Sequence, residues 1–248
     1  MSPSDGRAPT WRQKLLFLVV IGQLALMSLV WALGALLLRV LLPRRTGGRL
    51  GRAFISFMYR HAWATATRFG LMRLDTGALD ALGDEPGGLI IAANHPSMLD
   101  ALIIVARLPR SVCIMKAGLT RNVFLGNGAR LAEYIGNDSG HSMVREAVAR
   151  LRDGNQLVLF PEGTRTVKPP VNPFKPGLTL LAHRAGVPIQ TVLIESESPY
   201  LTKGWPLLKA PPLPVRLSVR LGRRFAPEAD HRAALRGVEA YFAEELTP

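Results

Sequence analysis

Leu89-Ile90-Ile91-Ala92-Ala93 is the clearest fold signal in the 248-residue chain, and Asn94-His95-Pro96-Ser97-Met98-Leu99-Asp100 follows it directly. An apolar run between a turn-like segment at 83–88 and a proline is typical of a strand that is buried on both faces. Such strands occur in parallel sheets that helices cover on both sides. This stretch therefore predicts an α/β fold with a mainly parallel central sheet flanked by helices.

Short apolar runs and helical patterns alternate along the rest of the chain. We predict further strands at 111–116, 156–160, 188–194 and 215–221, and helices at 97–107, 141–152, 177–185 and 228–245. Because strands and helices alternate without a repeat or a long linker, the pattern indicates one α/β domain over residues 74–248.

The first 73 residues have a different character. Residues 1–14 form a basic tail, and the next 24 residues, 15–38, contain no charge. A helix of that length reaches about 36 Å, enough to cross a hydrocarbon core of roughly 30 Å. We therefore predict a membrane helix over 15–42, which spans the bilayer, re-enters one leaflet or lies in the interface. An amphipathic interfacial helix is predicted over 49–73.

The net charge of +13 is concentrated around this apolar run. Residues 1–73 contain eleven Arg or Lys and one acid, Asp5. Cations that flank an apolar helix suit an anionic membrane surface, whereas a nucleic-acid site would need them on the α/β domain among stacking aromatics. We therefore predict membrane lipids, and no nucleic acid, as partners. The larger basic cluster follows the run, which favours a main domain on the cytoplasmic face, at the inner membrane in a bacterium.

His95 lies at the carboxyl end of the predicted strand, where ligand chemistry collects in open α/β sheets. Pro96 suits the first position of a helix, which would place Asp100 about one turn inside it. A spacing of five does not stack two side chains on a helix, so the pair can meet only if His95 folds back from a non-helical lead-in. A carboxylate there would fix the imidazole tautomer and leave the other nitrogen to take a proton. The alternative is a turn histidine beside a surface acid.

A second polar motif, Phe160-Pro161-Glu162-Gly163-Thr164-Arg165, follows another predicted strand. Gly163 permits a tight turn, and Arg165 can hold a phosphate or a carboxylate in bidentate fashion. Glu162 could orient Arg165 or bind an acceptor hydroxyl, and a plain Glu–Arg ion pair is the alternative. Two such motifs at strand ends in one domain predict a shared site.

Several other kinds of site are disfavoured. The sequence has no G-x-S-x-G elbow and no P-loop, and Leu131 stands where a dinucleotide fingerprint beginning at Gly126 needs a small residue. The single cysteine, Cys113, lies in an apolar run and is predicted to be a buried thiol. No metal is predicted, because the remaining histidines lack metal-ligand spacing; they are His61, His141, His183 and His231.

The two motifs resemble the first and third signature blocks of the glycerolipid acyltransferase family, that of the 1-acylglycerol-3-phosphate acyltransferases. Val187-Pro188-Ile189-Gln190 is similar to the fourth block, and the resemblance covers about residues 75–225. It implies that His95 is the general base and Asp100 its partner. It also implies no cofactor, an acyl thioester of coenzyme A or acyl carrier protein as donor, and a lysophospholipid-like acceptor. The acceptor would bind at Glu162, Gly163, Thr164 and Arg165, with Arg165 near phosphate.

The second block departs from the family pattern. Lys116 is retained and is a candidate substrate-binding residue, but Gly118 stands where an acid is typical. Asn137 or Asp138 stands about where a phosphate-binding arginine is expected. Tyr-Ile-Gly-Asn-Asp at 134–138 is similar to the branch associated with aryl-polyene pathways, which implies transfer of a polyene or polyketide chain from carrier protein to a non-phosphatidate lipid or glycolipid. A thioesterase-like hydrolase, with water as acceptor, is the other alternative.

Overall fold

The computed structural model describes residues 8–137 and 140–247. Within these residues the chain forms the strands β1 (Met72–Asp75), β2 (Leu89–Ala93), β3 (Ser111–Met115), β4 (Ile135–Gly136), β5 (Gln156–Leu159), β6 (Ile189–Ser196) and β7 (Val215–Phe225). The helices are α1 (Trp11–Leu41), α2 (Arg44–Arg68), α3 (Leu99–Arg107), α4 (Gly126–Leu131), α5 (Gly140–Arg152), α6 (Gly177–Ala185) and α7 (His231–Leu246). Two 3-10 turns cover Gly77–Leu82 and Ala117–Arg121.

One seven-stranded sheet runs through the domain in the order β1-β7-β6-β2-β5-β3-β4. The five strands from β6 to β4 are parallel, whereas β7 is antiparallel to β6, and β1 pairs parallel with β7. The predicted α/β class with a mainly parallel sheet is therefore confirmed. Because the parallel strands end at one edge, the loops that follow β2, β3, β5 and β6 meet there.

Strand β2 lies at the centre and is buried on both faces, as its continuous apolar sequence predicts. Ile91 packs into the core formed with α1, α2 and α3. Its neighbours Ile90 and Ala92 point the other way, into the core under α5, α6 and α7. This alternation follows from the period of two residues along a strand, and it makes β2 the strand that holds the two helix layers together.

The N-terminal helices differ in their bounds from the sequence prediction. The second helix is α2, Arg44–Arg68, not 49–73, because it begins directly after Pro43. It ends at Arg68, two residues before Gly70, which is left-handed with φ +69°, and the Leu71 N–H bonds to the Ala66 carbonyl. This hydrogen bond is typical of a glycine-terminated helix. Strand β1 then begins at Met72 and joins the sheet, so the domain boundary predicted at 74 lies two residues too late.

Helix α1 packs lengthwise against the domain and against the antiparallel α2. Near its start the Phe17 ring meets Tyr200 with centroids 5.5 Å apart, and further along Trp31 stacks on Phe54 of α2 at 4.0 Å. The opposite face is exposed, although it is strongly apolar; its large side chains include Leu15, Leu18, Leu26, Val30, Leu33 and Leu37. By length and composition alone, α1 is able to cross a membrane.

Gly128 of α4 allows α1 to approach closely. A Cβ at this position would lie 2.6 Å from Nε1 of Trp31, whose ring is already stacked on Phe54. We expect Gly128→Ala to lower the free energy of unfolding by about 1–3 kcal/mol, because the indole has to leave its stacked position. Thermal unfolding of the detergent-solubilised chain measures this change.

Gly237→Ala is the matched control for that measurement. Gly237 lies inside α7, and a Cβ there meets nothing within 4 Å. Alanine at an open helical position is expected to raise the free energy of unfolding by about 0.5–1 kcal/mol. Gly128→Ala and Gly237→Ala should therefore shift the melting temperature in opposite directions, and equal upward shifts would contradict the close packing of Trp31 on α4.

Candidate active site

Asn94 fixes the chain where β2 ends. Its side-chain amide donates to the carbonyl of Ile194 at 2.8 Å, and its side-chain oxygen accepts from the Ile194 N–H at 2.8 Å. The buried amide thus copies one more rung of strand pairing between β2 and β6. It holds the next residue, His95, at the carboxyl edge. In the sequence, this role corresponds to a polar residue directly after an apolar strand.

His95 and Asp100 are brought together as a hydrogen-bonded pair. Nδ1 of His95 lies 2.9 Å from Oδ2 of Asp100, which is fully buried, whereas the His95 side chain is 16% exposed. One face of the imidazole stacks on the Phe160 ring, with the centroids 4.0 Å apart. With Nδ1 engaged and the ring held between neighbours, Nε2 is the nitrogen left to exchange a proton with a substrate.

The lead-in to α3 is longer than predicted, and this brings the pair together. The helix begins at Leu99 and not at 97, so Pro96 is not its first residue. The backbone N–H groups of Ser97 and Met98 precede the helix and bond to Oδ2 of Asp100 at 2.7 Å and to the Leu201 carbonyl at 3.1 Å, respectively. Because these groups are satisfied in a turn, His95 folds back over the first helical turn.

Burial dominates the electrostatics of Asp100. Removal from water raises the pKa of its carboxyl group, while the hydrogen bonds from His95 and from the Ser97 N–H act in the opposite direction. Both donors reach Oδ2, and within the described residues Oδ1 has no hydrogen-bond partner. The carboxylate therefore depends on His95 for much of its stabilisation.

Glu162 supports the backbone of the site. Its Oε1 accepts from the His95 N–H at 2.9 Å and from the Thr166 hydroxyl at 2.8 Å, and Oε2 accepts from the Asn172 N–H at 2.8 Å. The predicted role of orienting Arg165 is wrong, since these contacts turn the buried carboxylate toward the backbone. Glu162 ties the second motif to the first through the backbone of His95.

We expect Glu162→Gln to lower the free energy of unfolding by about 1–3 kcal/mol. A glutamine keeps one acceptor for His95 and Thr166, but its NH₂ group would face the Asn172 N–H, and two donors cannot pair. Urea unfolding measures the loss. Glu244→Gln, at an exposed position of α7, is the control and should change the stability by less than about 0.5 kcal/mol. Equal stabilities for the two variants would contradict the bonding of Glu162.

Arg165 reaches across the edge of the sheet to the connection between β6 and β7. Its Nη1 donates to the carbonyls of Leu201 and Thr202 at 2.8 and 2.9 Å. Leu201 has φ +57°, a left-handed conformation that is costly for a leucine. Arg165 thus clamps a strained segment next to the His95 loop, a role that its place in the sequence does not reveal.

Lys175 lies at the same loop, although no motif singles it out. A Cβ on Gly163, which has φ +68°, would come within 2.6 Å of the Lys175 ammonium nitrogen. The backbone N–H of Lys175 bonds to the Pro161 carbonyl at 2.8 Å. Gly163 thus provides both the left-handed turn and the room for this ammonium group, and the next residue, Thr164, is exposed.

The residues of the second block lie along the same edge. Lys116 is exposed at the carboxyl end of β3. Asn137 follows β4, and its side-chain oxygen accepts from the Ala117 N–H at 3.1 Å. Asp138, the other residue at the position of the expected arginine, lies outside the described residues. Cys113 is buried, as predicted, and burial raises the pKa of its thiol to about 12, so it stays protonated at neutral pH.

Comparison with known proteins shows which proteins this chain resembles. Residues 80–195 match the family model described as Acyltransferase. Over 129 residues the chain is 33% identical to human 1-acyl-sn-glycerol-3-phosphate acyltransferase beta, covering 45% of this chain and 42% of that protein. It is 32% identical over 125 residues to a lysophosphatidylcholine acyltransferase of Drosophila melanogaster, covering 47% of this chain and 22% of that protein. Residues 80–195, which contain both motifs, are therefore similar to the acyltransferase family.

A solved structure extends the likeness to the whole fold. The crystal structure of the 1-acyl-sn-glycerophosphate acyltransferase PlsC from Thermotoga maritima superposes with a TM-score of 0.74, covering 95% of both chains at 20% identity. The match includes the N-terminal helices as well as the sheet. The two curated relatives are longer, and the matched segment spans less than half of each.

Proposed function

We propose that this chain is a membrane-bound O-acyltransferase, which moves an acyl group from a thioester donor to a hydroxyl of a lysophospholipid-like acceptor. The observation that carries the proposal is the His95–Asp100 pair, with Nδ1 and Oδ2 2.9 Å apart at the mouth of an α/β site. It lies in the segment that matches the acyltransferase model. The printed names of the relatives supply the class of acceptor.

The reaction proceeds by direct attack. Nε2 of His95 takes the proton of the acceptor hydroxyl as its oxygen attacks the thioester carbonyl. Asp100 stabilises the imidazolium that forms. When the tetrahedral intermediate collapses, the carbon–sulfur bond breaks and the sulfur leaves with the proton from His95. The products are an ester and a free thiol, and no acyl group is attached to the protein.

The cations at the carboxyl edge suit a phosphate on the acceptor. Lys175 lies over Gly163, and Lys116 is exposed at the end of β3. Lysine binds phosphate as a point charge and needs no fixed fork geometry. Coenzyme A and acyl carrier protein both present an acyl thioester, so each is a candidate donor.

We further propose that α1 enters one leaflet and does not span the bilayer. Its contacts with the domain run from Phe17 to Trp31, which keeps both ends of the helix on the same side as the active site. A helix that crossed the membrane would have to leave the domain at one end. The exposed apolar face would then lie in the leaflet, with the domain on the cytoplasmic face.

The test uses the full chain in mixed micelles, with acyl-coenzyme A or acylated acyl carrier protein as the thioester donor. Thiol release is followed spectrophotometrically, with lysophosphatidic acid, lysophosphatidylcholine or no acceptor, and the esters are quantified by mass spectrometry. We expect thiol release that depends on acceptor, with one ester formed for each thiol. Release without acceptor would instead support a thioesterase-like hydrolase. Ester formation on a glycolipid alone would support the alternative acceptor class.

A further inference from the structure

Three loops at the carboxyl edge of the sheet share an unusual composition. They comprise residues 116–125 after β3, 163–170 after the β5 motif and 199–214 between β6 and β7, and with Met98 we call them the carboxyl-edge rim. None of the three loops contains an aspartate or a glutamate. Each contains basic residues, which are Lys116, Arg121, Arg165, Lys168, Lys203 and Lys209.

The same rim exposes large apolar side chains. They occur on each of the loops and on the His95 turn itself, and their exposure ranges from 39% for Leu119 to 69% for Val123. The other large apolar side chains exposed here are Met98, Phe124, Val167, Leu207 and Leu208. Exposed apolar residues that cluster among cations mark a surface that binds something both apolar and anionic.

Hydrogen bonds attach the rim to the catalytic turn. The Thr166 N–H donates to the His95 carbonyl at 2.7 Å, and the Met98 N–H donates to the Leu201 carbonyl at 3.1 Å. Arg165 joins two of the loops through its bonds to Leu201 and Thr202. Whatever the rim binds is therefore held at the mouth through which a substrate reaches His95.

The rim also adjoins helix α1. Phe17 packs on Tyr200 of the β6–β7 loop, and Trp31 lies against Gly128, a few residues after the loop at 116–125. Helix α1 thus runs beside the carboxyl edge from one rim loop to another. Helix α1 and the rim together form one apolar and cationic surface.

We infer that the carboxyl-edge rim is a second lipid-binding surface, which holds the mouth of the active site against an anionic bilayer. The inference rests on the proposed function, since it supplies the lipid substrate to His95 directly from the leaflet. An acidic protein would match the positive charge of the rim. A binding site for such a protein, however, would not need to continue along the apolar helix α1. Nucleic acid would match the charge but not the aliphatic side chains.

Site-directed fluorescence tests this inference on the full chain. Cysteine is introduced at Val123, at Leu208 or, as control, at Asp84 in the loop that precedes β2 at the opposite edge. Cys113 is buried and does not compete for the label. Each variant carries an environment-sensitive fluorophore and is reconstituted in vesicles of phosphatidylcholine and phosphatidylglycerol at about 7:3.

A nitroxide on the lipid acyl chain should quench the probes at 123 and 208 by about twofold or more, and leave the probe at 84 unchanged. The inference would be overturned if aqueous iodide quenched the rim probes as strongly as the probe at 84. This comparison is made on protein that sediments with the vesicles. A response of the rim probes to acidic acyl carrier protein but not to vesicles would also overturn the inference. Thiol release in micelles is measured separately. If the lipid nitroxide quenches the rim probes but the protein releases no thiol, only the proposed reaction is contradicted.

Discussion

His95→Ala is expected to lower acceptor-dependent thiol release by about 10²–10⁴-fold, the usual contribution of a general base. The side chain that takes the proton is removed, while the His95 backbone N–H still reaches Glu162. The loss should appear mainly in kcat, because Nε2 acts on the hydroxyl only as the ester forms. Initial rates with acyl-coenzyme A and lysophosphatidic acid measure it.

The same substitution removes one of the two hydrogen bonds to the buried Asp100, so stability also has to be measured. The double variant His95→Ala/Asp100→Asn removes the charge together with its partner and separates the two effects. Its rate should equal that of His95→Ala alone, because the two residues act as one unit. His183→Ala, at an exposed position of α6, is the control and should keep full activity. Undiminished turnover by a folded His95→Ala protein would refute the role of His95.

Asp100→Asn is expected to lower the rate by about 10²–10⁴-fold without unfolding the protein. The asparagine oxygen can replace Oδ2 as the acceptor for His95 and Ser97, and its NH₂ would take the place of Oδ1, which has no partner within the described residues. The geometry is kept, but the negative charge that stabilises the imidazolium is lost. Rate and unfolding free energy are measured on the same preparation.

The pH dependence of stability gives Asp100→Asn a second signature. Burial raises the pKa of Asp100 in the folded state above its unfolded value, so the folded protein binds this proton more tightly. Its contribution to stability is therefore complete below the unfolded pKa and is lost as the pH rises through the folded pKa. The Asp100→Asn protein has no carboxyl group to titrate at this position, so it does not show this loss of stability.

The difference in unfolding free energy between wild type and Asp100→Asn should therefore shrink or reverse in favour of the variant as the pH rises over that range. Urea unfolding at a series of pH values measures it. Asp80→Asn is the control, because Asp80 is 58% exposed and pairs only at the surface with Arg107. A difference that grows with pH would contradict a buried carboxylate whose pKa is raised.

Local pattern was sufficient to predict most of the sheet. The continuous apolar run of β2 predicts a strand buried on both faces, and both of its faces lie in cores. Strand β1 and the two-residue β4 were missed, because short edge strands have no periodicity of their own and form only by pairing with β7 and β3. The end of α2 was misplaced because the stop signal, Gly70, acts through its left-handed backbone.

The site divides in the same way between sequence and structure. The sequence determined which residues carry the chemistry, since His95, Asp100, Glu162 and Arg165 stand in two motifs at strand ends. It also determined that the N-terminal run is a long apolar helix, because hydrophobicity and length are properties of the segment itself.

Tertiary structure alone decided what several of these residues contact. Glu162 bonds to the backbone of His95, and Arg165 to the carbonyls of Leu201 and Thr202, 36 and 37 residues away. The rim likewise exists only because parallel strands end at one edge and bring distant loops together. A buried carboxylate takes whichever donors the fold places around it, and no local pattern specifies partners that meet only when the sheet is assembled.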